Sequence, residues 1–139
     1  MNVDIYVNYA GNCEAAFAYY QQHLGGRLTM LMRHGEAPVQ NLPAEWSGKV
    51  LHARLDLGNA ALLGADVPTA ETMRSAYVTL GIETVEEAER VYAALSDGGQ
   101  IFMPIQSTFF AERFAMLRDR FGTSWMLLGA QQGEPPAAS

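Results

Sequence analysis

Cysteine is almost absent, with Cys13 the only one in 139 residues. A single thiol can form no internal disulfide and no cysteine-based metal cluster. Basic residues are also few: nine Lys and Arg stand against fifteen Asp and Glu, for a net charge of −6. No Lys/Arg cluster overrides that balance, so nucleic acid and anionic membrane surfaces are disfavoured as partners. Every apolar stretch is interrupted by Gly or a charge before it reaches membrane-spanning length. Met1-Asn2-Val3-Asp4 lacks the basic start and apolar block of a signal peptide. What the chain has is apolar material: 49% hydrophobic against 17% charged residues suits one buried core and not a disordered chain. The expectation is a soluble, cytoplasmic protein of one domain over residues 1–130, with a polar, frayed tail at 131–139.

Hydrophobic periodicity divides the chain into two similar passes. Residues 3–9 alternate like a strand, and Gly11-Asn12 breaks them, with Asn12 placed to cap a helix. Cys13, Ala16, Phe17, Tyr20 and Leu24 then recur at helical spacing until Gly25-Gly26 stops them. A strand over 27–33 follows, then an irregular connection over 34–48, a strand over 49–57, and a hairpin turn at Gly58-Asn59 returning through 60–63. The second pass predicts a strand at 75–82 and a helix capped by Thr84 with Val85, Ala88, Val91, Tyr92 and Leu95 on its apolar face. Asp97-Gly98-Gly99 stops that helix, and strands are predicted at 100–105, 108–117 and 124–128. The first of these is expected to end at Pro104 or just after it.

A shift of 73 residues superposes Glu14 on Glu87, Ala15 on Ala88, Tyr19 on Tyr92, Gly25-Gly26 on Gly98-Gly99, and Met30 on Met103. These matches need no gap and mark an internal duplication. The expected fold class is α+β: two βαβββ modules, about 1–68 and 73–130, forming a cupped mixed sheet whose concave face would give a ligand cleft.

The segments Gly11-Asn12-Cys13-Glu14-Ala15-Ala16-Phe17, Met32-Arg33-His34-Gly35-Glu36-Ala37-Pro38 and Leu51-His52-Ala53-Arg54-Leu55 carry a family resemblance. So do Leu63-Gly64-Ala65-Asp66, Gly98-Gly99, Met103-Pro104, Thr108-Phe109-Phe110, and Asp119-Arg120-Phe121-Gly122 followed by Trp125. From about Asp4 to Leu128 the chain resembles the vicinal-oxygen-chelate superfamily of glyoxalase I, bleomycin-resistance proteins and extradiol dioxygenases. Within it, the chain is similar to the PhnB-like branch, which often carries the label 3-demethylubiquinone 3-methyltransferase. The resemblance implies a homodimer. It also places the metal ligands of metal-using members at Ile5, at Tyr77 or Val78, and near Leu63 and Met126. Apolar side chains bind no divalent ion and Tyr binds one poorly, so neither a metal at those positions nor any other cofactor is expected. No Gly-rich strand–loop–helix for a nucleotide-like methyl donor occurs.

Chemistry-bearing residues are few. His52 shares a strand face with Arg54 and Asp56, away from Leu51, Ala53 and Leu55, and is the candidate proton acceptor. Glu36, in the connection with Arg33 and His34, is its candidate partner, and Arg54 could orient a ligand; a solvated loop and a polar outer strand face are the plainer readings. Asp66 and Asp119-Arg120-Phe121-Gly122 read first as turn formers. Tyr6, Trp46, Tyr77, Phe110, Trp125 and Met126 are candidate walls of an apolar pocket for a planar or greasy small molecule, with Trp46 as a lid. Core packing is the competing role for each of them. Cys13, on a buried helix face, reads as inert packing. The leading reading is a small-molecule binding protein with acid–base chemistry through His52. The alternatives are a divalent-metal lyase, isomerase or dioxygenase whose site is relocated to His34, Glu36, His52 and Asp66, and a drug-sequestering protein.

Overall fold

The computed structural model describes residues 1–39 and 41–131, and the expected tail at 132–139 lies outside the described residues. Strand β1 (Ile5–Tyr9) leads into helix α1 (Cys13–Leu24), followed by strands β2 (Arg27–Arg33), β3 (Val50–Asp56) and β4 (Ala61–Asp66). The same order recurs as β5 (Val78–Ile82), α2 (Val85–Ser96), β6 (Gln100–Gln106), β7 (Ala111–Arg118) and β8 (Ser124–Gln131). The fold is α+β, with the βαβββ unit written twice. Both copies have one topology: β1-β4-β3-β2 and β5-β8-β7-β6, the first pair of each sheet parallel and the others antiparallel. The chain divides into two compact units between Thr72 and Met73. Among the described residues no helix is long and apolar enough to cross a membrane.

Each helix buries its apolar stripe on its own sheet. In the first unit Cys13, Ala16, Phe17 and Tyr20 are buried, as are Val7, Tyr9, Ala53, Leu55 and Leu62 of the strands. Tyr9 meets Phe17 edge-on at 6.0 Å. In the second unit Ala88, Val91 and Leu95 are buried together with Ala115, Leu117, Trp125 and Leu127. Fully burying a large apolar side chain is worth roughly 1.5–3 kcal/mol, so these two stripes are the main source of each unit's stability. The Gly-Gly pairs act alike in both copies. Gly25 (φ +76) and Gly98 (φ +73) take the left-handed conformation just past each helix. Their successors permit close approach: a Cβ on Gly26 would stand 2.7 Å from the Asp56 carbonyl, and one on Gly99 2.3 Å from that of Arg118.

Several expected boundaries move, each for a physical reason. Strand β5 begins at Val78 rather than residue 75, because Ser75 has φ +58 and cannot continue an extended run. Thr108–Phe110 turn before β7: Thr108 donates to the Ala111 carbonyl and its hydroxyl accepts from the Ala111 amide. Strand β6 runs through Pro104 and ends just after it at Gln106, because β6 is an edge strand, where a missing N–H costs no ladder bond. Strand β8 continues to Gln131, the first residue of the stretch read as tail. Thr84 caps α2 through a hydrogen bond from the Glu87 amide at 3.2 Å. Asn12 makes no such bond to α1. The buried Asp66 carboxylate holds the start of the helix from 53 residues away, with Oδ1 accepting from Cys13 N at 2.9 Å and from Gly11 N at 3.0 Å.

Candidate functional site

Alternation along β1 turns Val7 and Tyr9 towards α1 and leaves Tyr6 on the opposite face, half-exposed. The register then builds one row across four strands: Tyr6 lies opposite Leu63, Leu63 opposite Arg54, and Arg54 opposite Met30. His52, two residues along from Arg54, lies opposite Met32. Methionines at 46% and 38% exposure therefore flank a His and an Arg on a sheet face that the helix does not cover.

The His52 ring meets Tyr6. Its Nδ1 lies 3.3 Å from the Tyr6 hydroxyl, with ring centroids 5.7 Å apart. Burial pushes the Tyr6 phenol above its ordinary value of 10.0, with the Cys13 sulfur a smaller cause. The phenol therefore stays protonated and neutral at physiological pH. A neutral imidazole has one donor and one acceptor nitrogen, and the contact at Nδ1 determines which role is left at Nε2. The strand pattern points to His52, while its tyrosine partner depends on a β1/β4/β3 pairing that local spacing does not reveal.

The other candidate residues fall into distinct places. Glu36 is exposed in a short 3-10 turn (His34–Glu36), and the side chain that reaches His52 Nδ1 is Tyr6. Arg54 donates from Nε to Asp56 at 2.9 Å and stands 3.9 Å from Asp4, with its side chain 42% exposed. His34 donates from Nε2 to the Asp66 carbonyl oxygen at 2.8 Å. It also lines a cavity of about 240 Å³ in the connection with Leu42, Pro43, Leu51 and Val67. Trp46, half-buried in its own 3-10 turn (Ala44–Trp46), is not part of that lining.

Trp125 is corrected most firmly: it is fully buried on the helix side of β8, and its Nε1 donates to Asp119 Oδ2 at 2.8 Å. No open sheet face can present it to a ligand. Met126, one residue on, points the other way and lies opposite Met116 and Thr79. Phe110 stacks edge-on between Phe109 and Phe114, at 5.0 and 5.3 Å. Tyr77 meets Phe102 edge-on at 6.4 Å.

The residues at the positions implied by the resemblance do not fit a hard divalent metal. Ile5, Leu63 and Val78 offer no side-chain donor atom, Met126 offers only a soft thioether and Tyr77 a single phenol. Among the described residues no three His, Cys, Asp or Glu side chains converge as a cation site. Asp66 in particular is committed: three backbone amides, of Gly11, Cys13 and Val50, donate to its carboxylate. One of the three, Cys13 N, is the first amide of α1, so a ligand cradled at that helix start would have to do without it.

Two βαβββ modules with this strand order define the glyoxalase/bleomycin-resistance/dioxygenase fold. Within it, residues 2–128 match the family model described as 3-demethylubiquinone-9 3-methyltransferase, and the chain belongs to that PhnB-like family. It is 31% identical to the protein YjdN of Escherichia coli strain K12, over 91% of this chain and 94% of that one. It is 38% identical to the Pseudomonas aeruginosa protein PA1353, whose crystal structure superposes with a TM-score of 0.85 over 95% of this chain and 99% of that one. The Bacillus cereus PhnB protein superposes with a TM-score of 0.78 at 25% identity, over 94% of this chain and all of that one.

Proposed function

We propose that this chain is a cytoplasmic, PhnB-like binding protein for a small apolar or planar molecule. The molecule lies against the open face of the first sheet, and acid–base chemistry there runs through His52. The observation that carries the reading is the contact between His52 Nδ1 and the Tyr6 hydroxyl, on a face walled by Met30, Met32 and Leu63. In the tautomer whose Nδ1–H donates to the phenol oxygen, Nε2 is the basic nitrogen that takes a proton from a bound molecule. Tyr6 thus orients the ring, and the adaptable thioethers supply contact without directional demands. Tyr77, Phe110 and Met126 give the second unit further apolar contact surface. Methyl transfer has little support in this chain, because no Gly-rich strand–loop–helix for a nucleotide-like methyl donor occurs in its sequence.

The test begins with thermal-shift screening of planar and apolar small molecules, followed by titration of the hits into His52→Ala and Tyr6→Phe. Binding that survives His52→Ala while turnover of the same compound is lost supports the acid–base role. Tyr6→Phe should lower the rate and leave affinity within about threefold, because it removes the group that orients the ring rather than the base. Hits that perturb only residues outside this face would overturn the reading. So would near-stoichiometric metal, by elemental mass spectrometry of protein purified without chelator, that is lost in His52→Ala.

A further inference from the structure

The second unit holds an open cavity of about 240 Å³ lined by Arg74, Ser75, Tyr77, Gln100, Phe102 and Arg118. In a chain of net charge −6, two guanidinium groups there are a local reversal of sign. Five other arginines, at 33, 54, 90, 113 and 120, stand within ion-pair distance of carboxylates. Among the described residues neither Arg74 nor Arg118 has a carboxylate partner. Arg118 donates to neutral acceptors only, the Gln100 side-chain oxygen at 3.1 Å and the Met73 carbonyl at 3.4 Å. That uses two of its five N–H groups and leaves its charge uncompensated.

The internal duplication sharpens the point. Arg118 lies opposite Gln100 in the β6–β7 pair, and the corresponding pair of the first unit is Arg27 opposite Asp56. Where the first copy has an aspartate that binds Arg54, the second has a bare cation. Aromatic groups complete the lining. The Arg118 guanidinium lies 5.5 Å from the Phe102 ring centroid, and Tyr77 stands edge-on to the same ring at an interplanar angle of 82°. The guanidinium lies over the Phe102 ring within cation–π distance, and the three N–H groups not given to Met73 and Gln100 remain for a ligand. The turn carrying Arg74 is also held in place. Met73 N donates to the Gly122 carbonyl, Met73 O accepts from the Ser124 hydroxyl at 2.8 Å, and Ser75 takes φ +58. Non-glycine residues at such a φ are uncommon and gather at binding sites.

We propose that this cavity binds a small aromatic carboxylate, its carboxylate on the edges of Arg118 and Arg74 and its ring against Phe102 and Tyr77. The volume equals roughly eight waters' share of liquid, room for one substituted ring and no more. The site is built from second-unit residues alone and does not depend on the His52 reading.

Benzoate is the probe, titrated into the full chain and followed by calorimetry and by amide shifts. Saturable binding is expected, with the largest shifts at Ser75, Tyr77, Gln100 and Phe102. Benzamide, which keeps the ring and loses the charge, should bind at least about tenfold more weakly, since a charged hydrogen-bonded pair is worth a factor of that order. Arg74→Gln and Arg118→Gln should each lose about tenfold, and Arg118→Lys should recover only part of the loss because it restores charge without the fork. Arg90→Gln removes an exposed charge on α2 and should change affinity less than twofold. Arg74 is exposed, so its variant tests the site even if changes at Arg118 disturb the fold. Equal affinity for benzoate and benzamide would overturn the proposal. So would inorganic phosphate competing as tightly as benzoate, or an Arg74→Gln variant of unchanged affinity.

Discussion

Asp66 is the most consequential polar residue of the first unit, and its removal can be worked through quantitatively. Its side chain is buried and accepts from Gly11 N at 3.0 Å, Cys13 N at 2.9 Å and Val50 N at 2.9 Å. One carboxylate therefore joins the β1–α1 turn to the first residue of β3. Asp66→Ala leaves three amide donors without an acceptor. An unsatisfied buried group costs about 1–3 kcal/mol, so a loss of about 4–6 kcal/mol is expected, comparable to the whole stability of many small domains. Asp66→Asn keeps Oδ1 for Gly11 and Cys13 and turns an NH₂ group onto the Val50 amide, for an expected cost of about 1–3 kcal/mol. Asp56→Asn, at a 39% exposed carboxylate, should cost under about 1 kcal/mol and serves as the control. The assay is urea unfolding in a Trp125→Phe background, where Trp46 is the remaining fluorophore and reports the first unit. The slope against urea should stay constant while the midpoint falls in the order wild type, Asn, Ala. An Ala variant costing less than about 1 kcal/mol, or an Asn variant as damaging as Ala, would refute the account.

Three further outcomes are expected. Burial, then the charges of Asp66 and Glu14, push the Cys13 thiol from its ordinary 9.0 up to about 12. The native state therefore keeps a proton that the unfolded chain loses above pH 9, and stability should fall between pH 9 and 12 by about 4 kcal/mol, a slope that Cys13→Ala flattens; a thiol reagent that labels native Cys13 at pH 8 would contradict this. The two tryptophans should separate under acrylamide, with Trp46 quenched and Trp125 protected, and Trp125→Phe should cost about 2–4 kcal/mol because Asp119 Oδ2 loses its indole donor. Exposed apolar side chains such as Phe109, at 83%, and Ile101, at 45%, favour burial against a second copy. Light scattering is expected to return a homodimer at micromolar concentration, and a monomer there would remove that reading.

The duplication was legible because it is written in local signals. Strands β1 and β5, and likewise β2 and β6, stand 73 residues apart, the offset at which Gly25-Gly26 falls on Gly98-Gly99. Turn glycines and helical periodicity act over a few residues and can be read without a partner strand. Side-chain partnerships are different, because they are decided by which strands pair. Tyr6 and His52 are 46 residues apart and meet only because β4 lies between β1 and β3. The same cause explains the misjudged residues. Trp125 has the composition of a pocket wall, but its place in the β5–β8 register turns it under α2, and its neighbour Met126 takes the open face. Arg54 reads as a free cation until pairing brings Asp4 to the same end of the sheet. Asn12 reads as a cap, but the side chain that ties down the helix start is Asp66, which β4 delivers to the amides on either side of Asn12. In each case a residue type was visible in the sequence, while its role was set by a neighbour supplied through the sheet. Arg118 of the second unit shows the converse. It stands opposite Gln100 where the first unit sets Asp56 opposite Arg27, a reversal of sign that becomes visible only when the two registers are compared.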